Sequence, residues 1–155
     1  MIATIRTREN GISQRLCELD IMQFTESQVR DRMEERGIRD DTFFVCGFTD
    51  WGIDRIVTLS ECYLLKKCIC ELYDNDDYII CHLLKKGLSV TEIITQYYVY
   101  LGNDEIIVMQ SLLKHADFNS VIDFFHKSGT WVNAVNAYIE DGLLLNTAKG
   151  FYVRK

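Results

Sequence analysis

The hydrophobic pattern of this chain changes its period once, near residue 60. Before that point, short apolar and β-branched runs such as MIATIRT and TFFVCGF are typical of strands. After it, Leu64, Leu65, Cys68, Ile69 and Leu72 recur at the i, i+3, i+4 spacing of an amphipathic helix. A chain that begins with strands and continues with helices favours an α+β fold.

Capping signals divide the chain into elements. Thr25 and Gln28 have the spacing of a capping box, and Gly37 stands where a left-handed helix end is expected. A helix of about three turns therefore lies between the two strands. Ser60 is expected to cap the next helix, which runs to about Tyr73.

Further helices follow without any proline or low-complexity linker. One is predicted from Asp76 to Lys86, and a capping box at Ser89 and Glu92 predicts another that ends near Gly102. Three more segments have helical patterns, beginning at Asn103, Asn119 and Trp131, the second of them ending at Gly129. The tail LLLNTAKGFYVRK predicts a β-hairpin with NTAKG as a five-residue turn. We therefore expect an α+β chain of three continuous parts: a sheet and helix unit at 1–58, an acidic helical middle at 59–129, and a C-terminal helix and hairpin at 130–155.

Composition narrows the class of protein. With 155 residues and 48% apolar content, the chain is able to bury a real core. The sequence has no apolar run of the roughly 18 residues that a membrane span needs, and its start has none long enough for a signal peptide. We therefore expect a cytoplasmic protein with no membrane partner, whose six cysteines are buried thiols in a reducing compartment.

The net charge of −6 is unevenly distributed. Residues 31–110 hold 15 acids and 8 bases, whereas the two flanks together hold 8 acids and 9 bases. The lysine pairs at 66–67 and 85–86 lie among acids and form no basic stripe, so direct nucleic-acid binding is not expected. A charge of −6 is also an ordinary value for the solubility of a small domain.

Two metal sites are worth testing against the sequence. A calcium loop that begins at Asp74 needs glycine at its sixth position, where Ile79 stands, so helix capping is the better interpretation of the DNDD segment. Cys68 and Cys70 point to different sides of a helix, and the sequence has no CxxC pair. We expect no metal and no cofactor.

Catalytic patterns are not recognisable either. The sequence has no GxSxG, no glycine-rich phosphate loop and no HExxH motif. The histidines lie on predicted helices beside lysines: His82, His115 and His126. The tyrosines of QYYVY could stack on bases, but the surrounding acids favour a role in packing or in an interface. We expect a protein that is not an enzyme; a hydrolase with an unrecognised site is the least favoured reading.

The order of the segments resembles a known family. RLCELDIMQFTESQVRDRMEERGIRDDTFFVCGFTDWGID is followed by LSECYLLKKCICEL, by CHLLKKGLSVTEII and finally by AYIEDGLLLNTAKGFYVRK. This pattern, from about Arg15 to Val153, resembles the ArdA-type antirestriction proteins of plasmids, phages and conjugative transposons. The chain reads EDGLLL where members carry a GRDL-like segment, and it is less acidic than well-known members.

The resemblance implies a function without catalysis. Members are described as elongated, dimeric mimics of B-form DNA that occupy the DNA groove of type I restriction-modification complexes. The resemblance thus implies that the protein acts in the cytosol of a bacterial host, forms a homodimer and has a restriction enzyme as its partner. The carboxylates that would stand in for phosphates are Asp40, Asp41, Asp50, Asp54, Glu71, Asp74, Asp76, Asp77, Glu92, Asp104 and Glu105.

Two other functions remain open from the sequence. One is inhibition of another nucleic-acid-directed defence, such as a CRISPR nuclease, by a local acidic patch. The second is a helical interaction module whose Tyr and Ile faces bind a partner helix, with charge serving solubility alone. Salt dependence separates charge mimicry from the apolar module, because salt screens the former.

Overall fold

The computed structural model describes residues 1–9 and 11–155 and has the expected α+β class. It divides into two compact units, Met1–Thr95 and Gln96–Lys155, called unit 1 and unit 2 below. The division falls inside the stretch 59–129 that the sequence grouped as one helical middle. The reason is that residues after Gln96 build a second sheet with the C-terminal hairpin.

Unit 1 contains a four-stranded antiparallel sheet in the order β2-β1-β3-β4. Its strands are β1 (Ile2–Glu9), β2 (Ile12–Asp20), β3 (Phe43–Phe48) and β4 (Ile53–Val57). The predictions of strands at MIATIRT and TFFVCGF are confirmed, whereas β2 and β4 were not predicted. Gly47 permits the close approach of β3 to β4, because a Cβ there would lie 2.2 Å from the carbonyl oxygen of Ile53.

Four helices follow this sheet or connect its strands: α1 (Glu26–Glu35), α2 (Leu59–Leu72), α3 (Tyr78–Lys85) and α4 (Val90–Ile94). The capping boxes at Thr25 and Ser89 are confirmed. The prediction that Ser60 caps α2 is wrong. Thr58 is the N-cap. Its hydroxyl accepts the backbone N–H of Glu61, and the Glu61 carboxylate accepts the backbone N–H of Thr58.

The helix predicted from Ser89 to Gly102 is the largest error. Helix α4 ends at Ile94, and Tyr98–Gly102 forms strand β5. The segment 59–129 is therefore not entirely helical. Strand β5 pairs with the C-terminal strand β7 in a three-stranded antiparallel sheet of order β5-β7-β6, and this long-range pairing outweighs the local helical pattern.

Unit 2 adds three helices to that sheet: α5 (Glu105–Leu113), α6 (Phe118–Ser128) and α7 (Trp131–Glu140). Their N-caps are Asp104, Asp117 and Thr130, each with a side chain that accepts backbone N–H groups. The C-terminal hairpin of β6 (Leu144–Thr147) and β7 (Gly150–Arg154) is confirmed. Its turn has two residues and not five, because Thr147 pairs with Gly150.

Each unit has its own apolar core. In unit 1, side chains such as Ile5, Phe48, Leu65 and Ile80 are fully buried. The core of unit 2 consists of Val108, Met109, Ala134, Val135, Leu144 and Phe151. Within residues 1–9 and 11–155, none of the helices combines the length and the apolar character needed to cross a membrane.

Candidate functional site

The turn between α2 and α3 carries three of the predicted carboxylates, Asp74, Asp76 and Asp77; we call it the acidic turn. Asp74 and Asn75 have φ angles of 48° and 67°, in the left-handed region that Asp and Asn tolerate better than most residues. The Asn75 N–H donates to the Ile69 carbonyl at 3.0 Å, and the Asp76 N–H donates to Tyr73 at 2.7 Å. These bonds fix the backbone, and the Asp74 side chain is exposed on it.

Two carboxylates of the acidic turn are oriented by hydrogen bonds. Oδ1 of Asp76 accepts the Tyr78 N–H at 3.0 Å, which supports the capping interpretation for this residue. Asp77 occupies the N-cap position of α3 but makes no side-chain capping bond. Instead its Oδ2 accepts the indole Nε1–H of Trp51 at 2.8 Å. Trp51 is buried against Phe48, with ring centroids 4.8 Å apart, so this bond holds Asp77 in one orientation.

Asp50 lies on the same side of unit 1 as the acidic turn. Both Asp50 and Asp77 act electrostatically on Cys81: burial raises the pKa of this thiol most, nearby Lys85 lowers it, and the two carboxylates raise it further. Oδ2 of Asp50 is 3.0 Å from the α-amino group of Met1, and its Oδ1 accepts the Ile2 N–H at 2.8 Å. The structure thus places Asp50 and Asp77, which are 27 residues apart in the sequence, close enough to act on the same thiol.

Besides Asp50, three predicted carboxylates are paired with cations. Asp40 contacts the Arg30 guanidinium, which also binds Glu26 at 2.6 Å. Asp41 is 3.2 Å from Arg39. Glu71 is 4.0 Å from Lys67, one helical turn earlier. Exposed ion pairs are weak, but each places a positive charge beside the carboxylate and so reduces the local negative potential.

Asp54 and Glu92 have different surroundings. Asp54 is exposed on strand β4. Glu92 forms the capping box of α4, where its Oε2 accepts the Ser89 backbone N–H at 2.7 Å and the Ser89 hydroxyl at 2.6 Å. Hydrogen bonds from Ser89 hold the pKa of Glu92 below its ordinary value, with a smaller contribution from Arg55. Glu92 therefore stays ionised at neutral pH while it stabilises a helix.

The last two predicted carboxylates lie in unit 2. Oδ1 of Asp104 accepts the N–H groups of Ile106 and Ile107 at 2.7 and 3.3 Å, as the N-cap of α5. Glu105 occupies the first turn of the same helix, where a negative charge is favourable. The other nine candidates belong to unit 1.

A second surface was not singled out by the sequence analysis. Phe118, Ile122 and Phe125 lie along one side of α6 and are exposed, and the Trp131 ring is 4.8 Å from that of Phe125. We call these four residues the α6 apolar face. The i, i+4, i+7 spacing of the three α6 residues is visible in NSVIDFFHKSG and the phenylalanine before it, but from the sequence this segment was predicted only to be a helix.

Burial affects the cysteine thiols and the His82 imidazole. All six cysteines are free thiols, and the expectation of burial holds only for Cys62, since the others are partly or fully exposed. Burial raises the pKa of Cys62 to about 12, which disfavours the nucleophilic thiolate. Burial and nearby Lys86 lower the pKa of His82. Among the described residues, no group of three or more His, Cys, Asp or Glu side chains is arranged to hold a metal ion.

The tyrosines of QYYVY contact other protein groups. Tyr98 is buried and its hydroxyl donates to the Gln96 side chain at 2.8 Å. Tyr100 packs edge-on against Tyr152 at 5.3 Å between centroids, and its hydroxyl bonds to Asn103 at 2.9 Å. These contacts favour the packing role over base stacking.

No protein-family model, no curated protein and no solved structure matches this chain. The likeness to ArdA-type proteins continues to depend on the sequence pattern between Arg15 and Val153. The function is therefore inferred from the placement of the carboxylates and of the exposed apolar groups.

Proposed function

We propose that this protein inhibits a DNA-targeting defence enzyme, of the type I restriction-modification class, by placing carboxylates of unit 1 in the enzyme's DNA cleft. The single observation that carries the proposal is the placement of Asp74, Asp76 and Asp77 on one turn whose backbone is fixed by hydrogen bonds. Backbone and indole hydrogen bonds also hold Asp76 and Asp77 in position before any partner arrives. Such preorganisation lowers the entropic cost of binding.

The charge of unit 1 supports this proposal. It contains 17 acidic and 12 basic residues, a balance of −5, whereas unit 2 contains 6 and 5, a balance of −1. Duplex DNA carries one negative charge per about 1.7 Å of its axis, and the proteins that bind it have cationic clefts. A surface with an excess of carboxylates is steered to the same clefts.

The ion pairs narrow the set of carboxylates that act in this way. Asp40, Asp41 and Glu71 are matched by side-chain cations and Asp50 by the α-amino group of Met1, so these four contribute mainly to the fold. We assign the contact with the enzyme to the acidic turn together with Asp54. On this proposal the protein acts by occupancy, without turnover or a cofactor, in the cytosol of a bacterial host.

Neutralising the acidic turn tests the proposal. In the triple variant Asp74→Asn, Asp76→Asn, Asp77→Asn, each amide oxygen still accepts a hydrogen bond, and Asn tolerates the left-handed backbone of residue 74. We expect wild type to retain a purified type I restriction-modification complex and to compete with its DNA substrate. The triple variant should lose at least about tenfold in affinity, as expected for charge-assisted contacts.

The matched control removes three charges elsewhere. Asp123→Asn, Glu140→Gln, Asp141→Asn changes the net charge equally, but at exposed positions of unit 2. This control should bind like wild type. Equal retention of the complex by wild type and by the acidic-turn variant would contradict the proposal, and binding of a CRISPR nuclease in place of the restriction complex would redirect it to another defence.

The apolar interaction module is the second candidate, because the α6 apolar face is exposed. Binding through that face should be nearly indifferent to salt, whereas binding through carboxylates should weaken as salt rises. Retention of a partner that survives high salt and is lost on Ile122→Glu would favour the module.

A further inference from the structure

Strand β2 forms one edge of the four-stranded sheet of unit 1. Directly after the strand, the Ile21 N–H donates to the Met1 carbonyl at 3.0 Å, so the backbone of residue 21 points toward the chain of β1. The Ile2 carbonyl, one pair further along, points the other way and accepts the Thr49 N–H at 2.9 Å. Because residues of an antiparallel pair alternate in this manner, Glu18 directs its N–H and C=O away from β1.

A β-bulge limits the regular part of this edge. The register of β2 with β1 is regular from Cys17 to Asp20 and shifts at Leu16. The Asp20 carbonyl already accepts the Gln23 N–H at 3.1 Å. Glu18 is therefore the residue whose two backbone groups are both directed outward, which is how an edge strand binds an extended peptide.

The core face of β2 is only partly covered. Ala3 and Ile5 on β1 are fully buried, and the residues opposite them are Leu19 and Cys17. Directly opposite residues of a pair lie on the same face of a sheet. Leu19 and Cys17 nevertheless remain partly exposed. The apolar layer under the sheet therefore ends at β2 without a further strand to close it.

A groove of about 710 Å³ lies between this edge and helix α1; we call it the β2–α1 groove. Leu19 and Cys17 line it from the strand, and the buried side chains of Val29 and Met33 line it from the helix. Glu18 also lines it, although its side chain points to the opposite face of the sheet, so the groove reaches the backbone edge of the strand. The groove thus has the position of a fifth strand, with backbone groups on one side and apolar side chains beneath.

The ends of the groove differ in charge. Asp20 lines the end at which β2 turns into α1. Arg36 lines the other end and is close enough to Cys17 to lower the pKa of that thiol, against the larger effect of burial, which raises it. Arg32, one turn before Arg36, is matched by Glu35 at 3.3 Å. An anionic group is therefore favoured at the Arg36 end.

We propose that the β2–α1 groove binds the extended C-terminal segment of another protein, as a fifth strand antiparallel to β2 with its terminal carboxylate beside Arg36. The segment pairs with both backbone groups of Glu18, and its alternate side chains lie over Val29 and Met33, where apolar residues are preferred. This inference goes beyond the proposed inhibition of a defence enzyme, because the groove contains none of the carboxylates assigned to that contact.

The first test measures amide hydrogen exchange in the full chain by NMR. The probe is a short synthetic peptide of alternating threonine and valine with a free C-terminal carboxylate. At saturation we expect exchange at the Glu18 amide to slow by about tenfold or more, because this N–H gains a hydrogen bond. The Leu19 amide already points toward β1 and should change little, which makes it the internal control.

Backbone pairing is tested with two N-methylated forms of the peptide. One form is methylated at the odd residues and the other at the even residues, so each loses the donors of one edge. Only the edge that faces β2 matters, and the two forms should therefore differ in affinity by about tenfold or more. Equal affinities would show that the peptide does not bind as a strand.

The role of Arg36 is tested by amidating the C-terminus of the peptide. Wild type should bind the carboxylate form about tenfold more tightly than the amide, whereas Arg36→Gln should bind the two forms within about twofold of each other. The Arg36 side chain is exposed, so this variant should keep its fold. Arg39→Gln removes an exposed guanidinium outside the groove and should keep the wild-type preference.

Three results would overturn the proposal. The peptide could leave exchange at Glu18 unchanged, or wild type could bind the carboxylate and amide forms equally. Slow exchange at Glu18 in the protein alone, increasing with its concentration, would make a second copy of the chain the occupant. None of these results involves the acidic turn, so each is distinct from a failure of the proposed inhibition.

Discussion

Unit 1 and unit 2 expose different kinds of side chain. Among the described residues, unit 1 exposes six large apolar side chains, whereas the smaller unit 2 exposes ten. The excess of acids lies in unit 1, which has 17 acidic and 12 basic residues, whereas unit 2 has six and five. One chain thus combines a charged surface, which acts at long range, with an apolar surface, which acts only in contact. The acidic turn and the α6 apolar face, as binding surfaces proposed for this protein, therefore have separate physical requirements.

The variant with the largest expected effect tests whether the two units unfold independently. Leu65→Ala removes a fully buried side chain of unit 1 and should lower the free energy of unfolding by about 2 to 5 kcal/mol. The adjacent change Leu64→Ala, at a 42% exposed position, should cost below about 0.5 kcal/mol.

Urea unfolding followed by tryptophan fluorescence measures this difference. Trp51 is in unit 1 and Trp131 in unit 2, so replacing one by Phe leaves a reporter of the other. Leu65→Ala should lower the urea midpoint that is followed by Trp51 fluorescence. An equal fall of the midpoint followed by Trp131 would show that the two units unfold together, and they would then not be independent in stability.

The next prediction concerns Lys66, whose side chain stabilises the fold of unit 1. The Lys66 ammonium donates to the carbonyl oxygens of Ile21, Met22 and Phe24 at 2.9, 3.1 and 2.8 Å, and it lies 5.4 Å from the Tyr63 ring centroid. Lys66→Met should cost about 1 to 3 kcal/mol, because partly buried carbonyls lose their donor.

Lys67→Met is the matched control, since Lys67 is exposed and only approaches Glu71 at 4.0 Å. It should change the free energy of unfolding by less than about 0.5 kcal/mol. Equal effects of the two variants would mean that the charge of this surface, and not the carbonyl contacts, stabilises α2.

Salt sharpens the comparison between the acidic turn and the α6 apolar face. Raising ionic strength from low to high should weaken retention of the defence enzyme by about tenfold or more, because counterions compete for the cationic cleft. Partner binding through the α6 apolar face should change by less than about threefold. Parallel titrations on the same preparation measure both. Similar salt dependence at the two surfaces would remove the distinction between them.

The smallest expected effect is the pH dependence of one ion pair in unit 1. The hydrogen bond from Arg30 holds the pKa of Glu26 below its ordinary value of 4.5. A depressed carboxyl pKa contributes stability above the ordinary pKa, and this contribution is lost as the pH falls through the folded-state value. Glu26→Gln should therefore destabilise by less than about 1 kcal/mol at pH 7, and the difference from wild type should vanish in acid.

Glu34→Gln provides the control on the same helix, because Glu34 is exposed. At pH 7 its difference from wild type should be smaller than that of Glu26→Gln, because no ion pair is removed. A Glu26→Gln difference that persists in acid would show that the hydroxyl of Ser60, which donates to Glu26 at 2.8 Å, supplies the stability without the charge.

Strand β2 shows why part of the fold was not predictable. Its sequence ISQRLCELD lacks regular alternation, because the register with β1 shifts between Ile5 and Arg6 and leaves Leu16 outside the pairing. Strand β5 was read as helix because YVYLG continues an apolar pattern that begins in α4. In both cases the decision depends on a neighbouring strand, which a local pattern does not contain.

The candidate site was also predictable only in part. The acids of the α2–α3 turn were visible as DNDD, and the resemblance supplied their proposed role. Their partners were not visible: Trp51 is 26 residues from Asp77, and Asp50 is 48 residues from Ile2. The sequence likewise did not show that four candidates are paired with cations, or that the apolar stripe of α6 faces outward.

The amino-acid sequence alone determined where α1 and α4 begin and that the chain ends in a hairpin. Capping bonds and tight turns join residues only three positions apart, so their chemistry is complete within a short segment. The tertiary structure decided which strands pair, which carboxylates stand together and which apolar side chains stay exposed. Those outcomes depend on burial and hydrogen bonding between distant segments, whose free energy no local stretch of sequence contains.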